Sequence, residues 1–363
     1  MCERRKNLDT VIAIIVTVFI FGLLIFIHEL GHYLVARACG VGILEFAIGM
    51  GPKIYSRRGK YNLFSVRALP IGGFVSMVGE YGEVNEEELD EADRGKTPLN
   101  SKPVWQRILI CLAGPVMNIL LGILVMSIVV ISTPVLGSTT VGGFFEQSTS
   151  NSHGLMPGDR ILEIDGEKIH VIIEMNYKIS VDGIEPLDIL VERDGGEVLL
   201  EDVVFPVEEL DGVKLGAVDF SVMRAQKSFG EVVYQSFWQS VATLELTVDS
   251  LVDTFRGRYG LSALSGPVGI GEQVGEVISS GETVSGTVLN IASMTVLISM
   301  SLGVFNLLPI PVLDGGRILF YIIEAIRRKP MDPKYENAVS ALFMILLVFL
   351  MIFVLFKDIA GLF

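Results

Sequence analysis

The chain has 363 residues, of which 50% are hydrophobic and only 19% are charged. This composition is too apolar for an ordinary soluble protein, and the length leaves room for several membrane spans and one modest domain. The formal net charge of -14 excludes nucleic acid as a partner, because no basic face is available to neutralise phosphates. The lipid bilayer is therefore the expected surrounding of much of the chain.

Four stretches without any charged residue are each long enough to cross roughly 30 Å of hydrocarbon as a helix. They are residues 10–27, 108–145, 283–313 and 338–356. The second stretch is longer than one span, and Pro134 with Gly137 marks its expected exit. We predict spans within the segments 1–39, 103–137, 283–326 and 327–363. The first is expected to be retained, because its apolar run is too long for a signal peptide.

The distribution of basic residues predicts the orientation of the spans. The connection 37–107 carries ten Lys and Arg residues, and the connection 315–337 carries five. Loops rich in Lys and Arg stay in the cytosol, so the N-terminus, the middle of the chain and the C-terminus are expected outside. Arg4, Arg5 and Lys6 contradict this orientation, but the two loops outnumber them.

The segment 138–224 has short apolar runs separated by Gly, Asp and Pro, which are typical of a small strand-rich domain. It resembles a PDZ domain through Gly154-Leu-Met-Pro-Gly-Asp-Arg-Ile-Leu-Glu-Ile-Asp-Gly166. PDZ domains bind an extended peptide, often a C-terminus, as an added strand. The resemblance implies a carboxylate-binding loop at Val141, Gly142, Gly143 and Phe144. The alternative is a spacer domain without a ligand.

Residues 225–282 are predicted to form an amphipathic helical segment. Apolar residues recur there at three- and four-residue steps, which is the spacing of one helical face. They are Phe229, Val233, Phe237, Val241, Leu244, Val248, Leu251 and Phe255. This face either lies at the outer membrane surface, with Trp238 at headgroup level, or packs on the PDZ-like domain.

The first span continues into Ile27-His-Glu-Leu-Gly-His32. His28 and His32 lie four residues apart and therefore share one face of a helix. Two imidazoles in this relation can bind one Zn²⁺, with Glu29 beside the open coordination position. Zinc lowers the pKa of bound water to about 7, so Glu29 can act as general base. The alternative is a structural cluster at the cytosolic end of the helix.

A catalytic zinc needs a third protein ligand and keeps its fourth position open. Asp314 is the candidate, in Asn306-Leu-Leu-Pro-Ile-Pro-Val-Leu-Asp314-Gly-Gly-Arg317. Pro309 and Pro311 interrupt the helix, and irregular backbone at membrane depth is tolerated only inside protein or around a wet cavity. The alternative is that Asp314 is merely the first polar residue after the span and faces Arg317.

Together these motifs resemble the site-2 protease family of intramembrane metalloproteases, in the bacterial branch of the regulator of sigma-E protease. The resemblance covers nearly the whole chain in order. Its elements are the zinc helix 28–32, the hairpin segments 46–52 and 69–74, the Gly-x-x-x-Asn element from Gly114 to Asn118, the segment 265–270, Asn306 with Pro309 and Pro311, and Leu313-Asp314-Gly315.

The resemblance implies a multi-pass α-helical membrane protein with four transmembrane helices, a membrane-associated β-hairpin in the cytosolic-side segment 40–102, and an inserted extracytoplasmic PDZ (α+β) domain. It implies a bacterial cytoplasmic membrane location, with Zn²⁺ held by His28, His32 and Asp314 near the cytosolic side. The expected substrates are single-span membrane proteins, such as anti-sigma factors already trimmed outside or signal-peptide remnants. Some family members carry two PDZ domains, whereas one is recognisable here.

Substrate binding is expected at the hairpin and at polar groups within the spans. A hairpin over 45–77, turning near Arg58-Gly59-Lys60, would offer its edge to an unwound substrate. The further candidates are Asn118, Asn306, Pro309 and Pro311. The two amides either contact the substrate or its developing oxyanion, or they tie the second and third spans together.

Two other classes of function remain open at this point. A non-catalytic membrane scaffold that senses peptides through its PDZ-like domain would bind no zinc and would not depend on Glu29. A zinc transporter would place its ligands along a path through the bilayer. The clustering of the ligands at one end of a span fits a transporter poorly.

Overall fold

A computed structural model of the chain describes residues 2–80, 89–210, 213–257, 266–280, 283–329 and 331–361. Most of the acidic run after Glu80, and Ser265 at the start of one family motif, lie outside these residues. The chain forms two compact units, one of residues 1–122 and 261–363 and the other of residues 123–260.

The helices and strands are numbered along the chain. The helices are α1 (Cys2–Ala38), α2 (Val104–Ser132), α3 (Ile172–Asp182), α4 (Phe229–Phe255), α5 (Pro267–Ser279), α6 (Val284–Asn306), α7 (Asp314–Arg327) and α8 (Pro333–Gly361). The strands are β1 (Ile43–Arg58), β2 (Leu63–Met77), β3 (Leu136–Phe144), β4 (Arg160–Ile164), β5 (Glu167–Lys168), β6 (Leu187–Arg193), β7 (Gly196–Val203), β8 (Val207–Leu210), β9 (Val213–Gly216) and β10 (Phe220–Ala225).

Four helices among the described residues are long and apolar enough to cross a membrane, as the sequence predicts. These segments are Asp9–Ala38, Val104–Ser132, Val284–Asn306 and Lys334–Ile359. The most apolar stretch of α8 has no buried residue, and side chains such as Phe349 and Phe356 are exposed. So large an apolar surface is stable in lipid but not in water.

α1 and α2 approach each other closely at glycine. A side chain at Gly31 would collide with the carbonyl group of Ala113 in α2, so this backbone contact requires a residue without a side chain. Gly114, the next residue of α2, packs against the side chains of His28 and His32. The two glycines therefore bring the histidine face of α1 directly against α2.

Helix α5 was not anticipated from the sequence, which predicted a single amphipathic segment over 225–282. Its three glycines weaken the helical signal, but its packing along α1 stabilises it. Asp358 of α8 caps its N-terminus, because the carboxylate accepts hydrogen bonds from the backbone N–H groups of Gly266 (3.0 Å) and Gly269 (2.9 Å). α5 is thus attached to the first and the fourth span.

Strands β1 and β2 form the predicted hairpin, which turns between Arg58 and Leu63. Residues 43–48 of β1 pair with residues 73–77 of β2 on one side, and residues 45–48 pair with residues 63–66 on the other. Within the described residues, no strand pairs with the outer side of 73–77. The segment 73–77 is therefore an open edge of this sheet.

Glu45 anchors the hairpin through three polar contacts. It accepts a hydrogen bond from Ser65 (2.5 Å) and forms ion pairs with Arg67 (2.8 Å) and Lys53 (3.1 Å). Burial alone would raise the pKa of the Glu45 carboxyl, but these three donors hold it below its ordinary value. The carboxylate thus stays charged at neutral pH and holds the strands together.

The third span ends earlier than the predicted segment 283–326. α6 stops at Asn306, residues 307–313 are not helical, and α7 begins at Asp314. A side chain at Gly315 or Gly316 would collide with carbonyl groups between residues 307 and 310. The bend therefore packs tightly against the first turn of α7, and this packing fixes the position of Asp314.

The unit of residues 123–260 contains an α+β domain. Its sheet has the strand order β10-β3-β4-β6-β7, with β5 beside β4, and α3 contributes to the core. Buried apolar side chains of the sheet and of α3 form this core, namely Val141, Leu155, Ile161, Ile164, Met175, Ile179, Leu187, Ile189 and Val191. The predicted strand-rich character of this part of the chain is confirmed.

A buried ion pair stabilises the turn that precedes β4. The side chain of Asp159 is only 1% exposed and accepts two hydrogen bonds of 2.7 Å from Arg193 of β6. It also accepts a hydrogen bond from the backbone N–H of Met156 (2.8 Å), while Arg193 donates to the carbonyl oxygen of Gly154 (2.8 Å). The pair therefore joins a tight turn to the end of β6.

The apolar stripe predicted along residues 229–255 does not pack on the α+β domain. Phe229 is 86% exposed, and Phe237 and Val248 are also exposed, whereas the buried side chains of α4 are small or polar, as at Ala242 and Thr243. The spacing of apolar residues predicted a helix with one apolar face, and α4 covers these residues. The spacing could not distinguish a face covered by protein from one left open to lipid or a partner.

The Asp159–Arg193 pair yields a stability prediction. Asp159→Ala leaves the Arg193 guanidinium partly buried without its carboxylate, and we expect the free energy of unfolding of the α+β domain to fall by about 3 kcal/mol. Pulse proteolysis of the detergent-solubilised protein in urea measures this change. Glu192→Ala is the matched control, because its ion pair with Arg160 is exposed (3.3 Å) and is worth less than about 1 kcal/mol. Equal losses in the two variants would contradict the prediction.

Candidate metal centre

Three side chains from two helices that are far apart in the sequence meet beside α2. His28 and His32 of α1 point the same way, and their Nε2 atoms lie 3.2 Å apart. Asp314 Oδ2, at the first residue of α7, lies 3.1 Å from His28 Nε2 and 3.4 Å from His32 Nε2. The three potential ligand atoms thus form a nearly equilateral triangle.

The size of this triangle fits a zinc ion. Ligands at about 2.0–2.1 Å from a tetrahedral zinc lie about 3.3 Å from one another, which is close to the three separations between His28, His32 and Asp314. Two imidazole nitrogens and one carboxylate oxygen form a set typical of catalytic zinc. Three groups from a single face would leave the fourth position open. These residues are the group of potential metal ligands found within the described part of the chain.

A cavity of about 550 Å³ opens beside the three ligands. Its lining includes Glu29, Asn306, Glu80, Arg317 and residues 73–77 of the hairpin edge. Glu29 follows His28 on α1, and the backbone at Gly73 approaches it so closely that a side chain there would lie 3.2 Å from Glu29 Cγ. The cavity therefore places an acid, the metal ligands and an open strand edge around one space.

The two predicted asparagines occupy different places. Asn306, the last residue of α6, lines the cavity. Asn118 is fully buried (0% exposed) in α2. Its backbone carbonyl oxygen accepts a hydrogen bond from Ser299 of α6 (2.7 Å), and its side-chain amide nitrogen lies 3.4 Å from His28 Nδ1. Of the two amides, Asn306 is thus the one that lines the cavity.

Pro309 and Pro311 shape the bend before α7 instead of lining the cavity. Both lie in the non-helical residues 307–313, and the carbonyl oxygen of Pro311 accepts a hydrogen bond from Ser340 of α8 (3.1 Å). Neither proline is among the lining residues. Their influence on the site is through the position of Asp314.

The prediction of a loop at Val141, Gly142, Gly143 and Phe144 is wrong, because all four residues lie in strand β3. One edge of β3 faces β4, where the N–H of Val141 donates to the carbonyl oxygen of Asp159 (2.8 Å). The other edge pairs with β10.

Strand β10 covers the edge of β3 along most of its length. Phe220 lies opposite Phe144, and Ser221 lies opposite Gly143. The rings of Phe220 and Phe144 also pack edge to face, with centroids 6.3 Å apart. β10 therefore occupies one edge of β3, whereas on the other edge the register with β4 is confined to Thr140 opposite Arg160. The local sequence could not reveal this pairing, since β10 lies about 80 residues further along the chain.

Two ion pairs beside the site were missed by the sequence analysis. Arg317 donates to Glu80 at the end of the hairpin (2.6 Å), and Arg107 at the start of α2 donates to Glu324 of α7 through two bonds of 2.5 and 3.0 Å. Both pairs hold α7, the helix that begins with Asp314. Each joins residues more than 200 positions apart, so no local pattern predicts them.

Comparison with known proteins agrees with this geometry. The profile of peptidase family M50 matches residues 16–350. A zinc metalloprotease RasP of Geobacillus kaustophilus is 30% identical in an alignment of 430 positions that covers 98% of each chain. The regulator of sigma-W protease RasP of Bacillus subtilis is 30% identical in an alignment of 433 positions that covers 98% of this chain and 99% of the relative.

The match includes both elements that supply the three potential ligands, two of the four apolar helices in full and most of the first and the last. The chain is therefore a multi-pass membrane protein and a zinc metalloprotease, and it belongs to peptidase family M50, the site-2 protease family.

Proposed function

We propose that His28, His32 and Asp314 hold the zinc ion and that Glu29 is the general base of an intramembrane protease. The observation that carries this proposal is the triangle of ligand atoms, with sides of 3.1 to 3.4 Å. Bound Zn²⁺ supplies Lewis-acid activation of water and of the carbonyl group to be cleaved. Glu29 takes the proton of the attacking water and returns it to the leaving nitrogen.

The substrate is proposed to bind as an extended strand along residues 73–77. A transmembrane helix hides its peptide bonds in its own hydrogen bonds, so it must unwind before it is cut. The open edge of the hairpin offers replacement partners for the backbone groups that are released. This edge lines the same cavity as Glu29 and the ligands. The Asn306 amide is placed to donate to the carbonyl oxygen on which charge develops.

We further propose that the substrates are single-span proteins of the bacterial cytoplasmic membrane, such as anti-sigma factors or signal-peptide remnants. The relative from Bacillus subtilis is named as a regulator of sigma-W protease, which supports this class. The Lys- and Arg-rich loops support a metal site near the cytosolic side and an extracytoplasmic α+β domain.

The α+β domain is proposed to be a PDZ domain, on its resemblance at residues 154–166. Peptide termini would be its ligands in that case, but β10 already pairs with the strand that would receive them. This pairing favours the spacer alternative in the conformation described. A peptide would bind β3 by strand addition only after β10 had left. The α4 stripe is proposed to face lipid at the outer membrane surface.

The zinc set is tested by Gly114→Ala. A methyl group at this position would collide with His32 Nε2 and lie 2.8 Å from His28 Cε1, so we expect zinc retention against a chelator to fall at least about tenfold. Gly22→Ala is the matched control in α1, because nothing lies within 4 Å of a side chain there. Both changes raise helix propensity. Full zinc retention in Gly114→Ala would contradict the proposed ligands.

The catalytic role of Glu29 is tested by Glu29→Gln. The amide has nearly the same shape but cannot accept the proton, so we expect kcat to fall by about 10² to 10⁴ while bound zinc is unchanged. Metal analysis and cleavage of a single-span substrate are measured on one preparation. His28→Ala is the comparison and should lose both zinc and activity. Undiminished cleavage by Glu29→Gln would favour another base, and absence of zinc from the wild type would favour the scaffold alternative.

The edge-strand proposal is tested by Val75→Pro. The N–H of Met77 donates to Glu80 Oε2 (3.1 Å), and alternation along the strand places the N–H of Val75 on the same side as that of Met77. Proline removes this donor, and we expect cleavage to fall about 5- to 10-fold with zinc content unchanged. Val75→Ala controls for the loss of apolar packing, since it keeps the N–H. Equal cleavage by the two variants would count against strand addition.

A further inference from the structure

His28 must present a bare nitrogen to the centre of the ligand triangle. Its Nε2 faces Asp314 Oδ2 at 3.1 Å and His32 Nε2 at 3.2 Å. A neutral imidazole carries its proton on one ring nitrogen only, and a metal ligand uses the other one. If Nε2 binds the metal, the proton of His28 is on Nδ1 and needs a hydrogen-bond acceptor there.

His32 meets the same requirement with a backbone acceptor. Its Nδ1 lies 2.7 Å from the carbonyl oxygen of Ile110 in α2. A carbonyl oxygen can only accept, so the proton of His32 is on Nδ1 and its Nε2 is free for the metal. The ring orientation of His32 is therefore determined by the backbone of α2.

For His28 the corresponding group is the side-chain amide of Asn118. The amide nitrogen Nδ2 of Asn118 lies 3.4 Å from His28 Nδ1. The amide oxygen Oδ1 of Asn118 is buried without a hydrogen-bond partner. In that rotamer Nδ2 would donate to Nδ1, and the proton of His28 would be forced onto the nitrogen that faces the other ligands. The two ends of a carboxamide have nearly the same shape and are assigned from their hydrogen bonds. A half turn of the amide places Oδ1 beside Nδ1 and makes it an acceptor.

The position of Asn118 suits an acceptor for the His28 Nδ1 proton better than a contact with the substrate. Its side chain is fully buried and is not among the groups that line the cavity. Its backbone is held by the hydrogen bond from Ser299 Oγ (2.7 Å). Gly114, one turn earlier in α2, allows both imidazoles to approach the helix closely. α2 thus contacts both histidines.

We propose that Asn118 is the positioning residue for His28: its side-chain oxygen accepts the Nδ1 proton and so directs Nε2 to the metal. This inference rests on the proposed ligand set. It separates the two asparagines, because Asn306 faces the substrate and Asn118 faces a ligand. The amide of Asn118 therefore acts on the metal through His28 and does not touch the reacting atoms.

The experiment compares Asn118→Asp with Asn118→Leu in the full-length protein. Aspartate retains an oxygen acceptor at the same distance, whereas leucine has a similar volume and no acceptor. Outer partners of metal ligands typically contribute 10- to 100-fold in affinity. We therefore expect Asn118→Leu to lose zinc to a chelator about 10 to 100 times faster than the wild type, and Asn118→Asp to stay within about threefold of it, as a charged acceptor should.

A spectroscopic readout separates this role from a merely structural one. The visible absorption of the Co²⁺-substituted protein reports on ligand geometry, and it should be preserved in Asn118→Asp but altered in Asn118→Leu. Zinc loss from Asn118→Asp as fast as from Asn118→Leu would overturn the proposal, because an amide needed as a donor is not replaced by a carboxylate. Unchanged zinc retention in Asn118→Leu would also overturn it. His28→Ala, measured alongside, reports on the ligand set itself, so the two proposals fail separately.

Discussion

Three polar side chains must meet within an apolar part of this protein, and the rest of the metal unit is arranged to make that possible. An ionisable group at membrane depth costs roughly 2.5–3.5 kcal/mol on insertion scales. His28, His32 and Asp314 would therefore be stable there only when they share a binding partner, such as the proposed metal ion. Glycine lets the helices come close enough. Gly31 and Gly114 bring α2 against the histidine face, and Gly315 with Gly316 lets α7 begin beside it. Each of these contacts excludes even a methyl group.

The proposed strand addition would explain how a buried site reaches a peptide bond. The hairpin brings backbone groups, which bind any sequence, to the cavity that contains Glu29. Side-chain recognition would restrict the enzyme to a few substrates, whereas an open strand edge accepts any chain that has lost its helical hydrogen bonds. Selectivity would then depend on how easily a helix unwinds.

The sequence was sufficient for the spans, the hairpin and the candidate ligands, because each leaves a local signal. Uncharged runs mark the spans, and the four-residue spacing of His28 and His32 marks one helical face. The sequence was not sufficient for contacts between residues that are far apart along the chain. The pairing of β10 with β3, the Arg107–Glu324 and Arg317–Glu80 ion pairs and the capping of α5 by Asp358 join residues 75 or more positions apart.

The environment of the stripe on α4 could not be predicted for a different reason. Periodicity shows which face of a helix avoids water, but a core, a partner and a bilayer all satisfy that preference. Asn118 shows a related limit. Its position in the Gly-x-x-x-Asn element was recognised, yet whether its amide faces the substrate or His28 depends on the rotation of α2, which the sequence does not specify. Burial and the 3.4 Å approach to Nδ1 distinguish the two.

The Glu80–Arg317 ion pair connects the end of the hairpin directly to α7. Arg317 lies one helical turn beyond Asp314, and Glu80 also accepts the N–H of Met77 at the end of the open edge. A substrate strand bound at that edge, as proposed, would thus be connected through Glu80 and Arg317 to the helix that begins with Asp314.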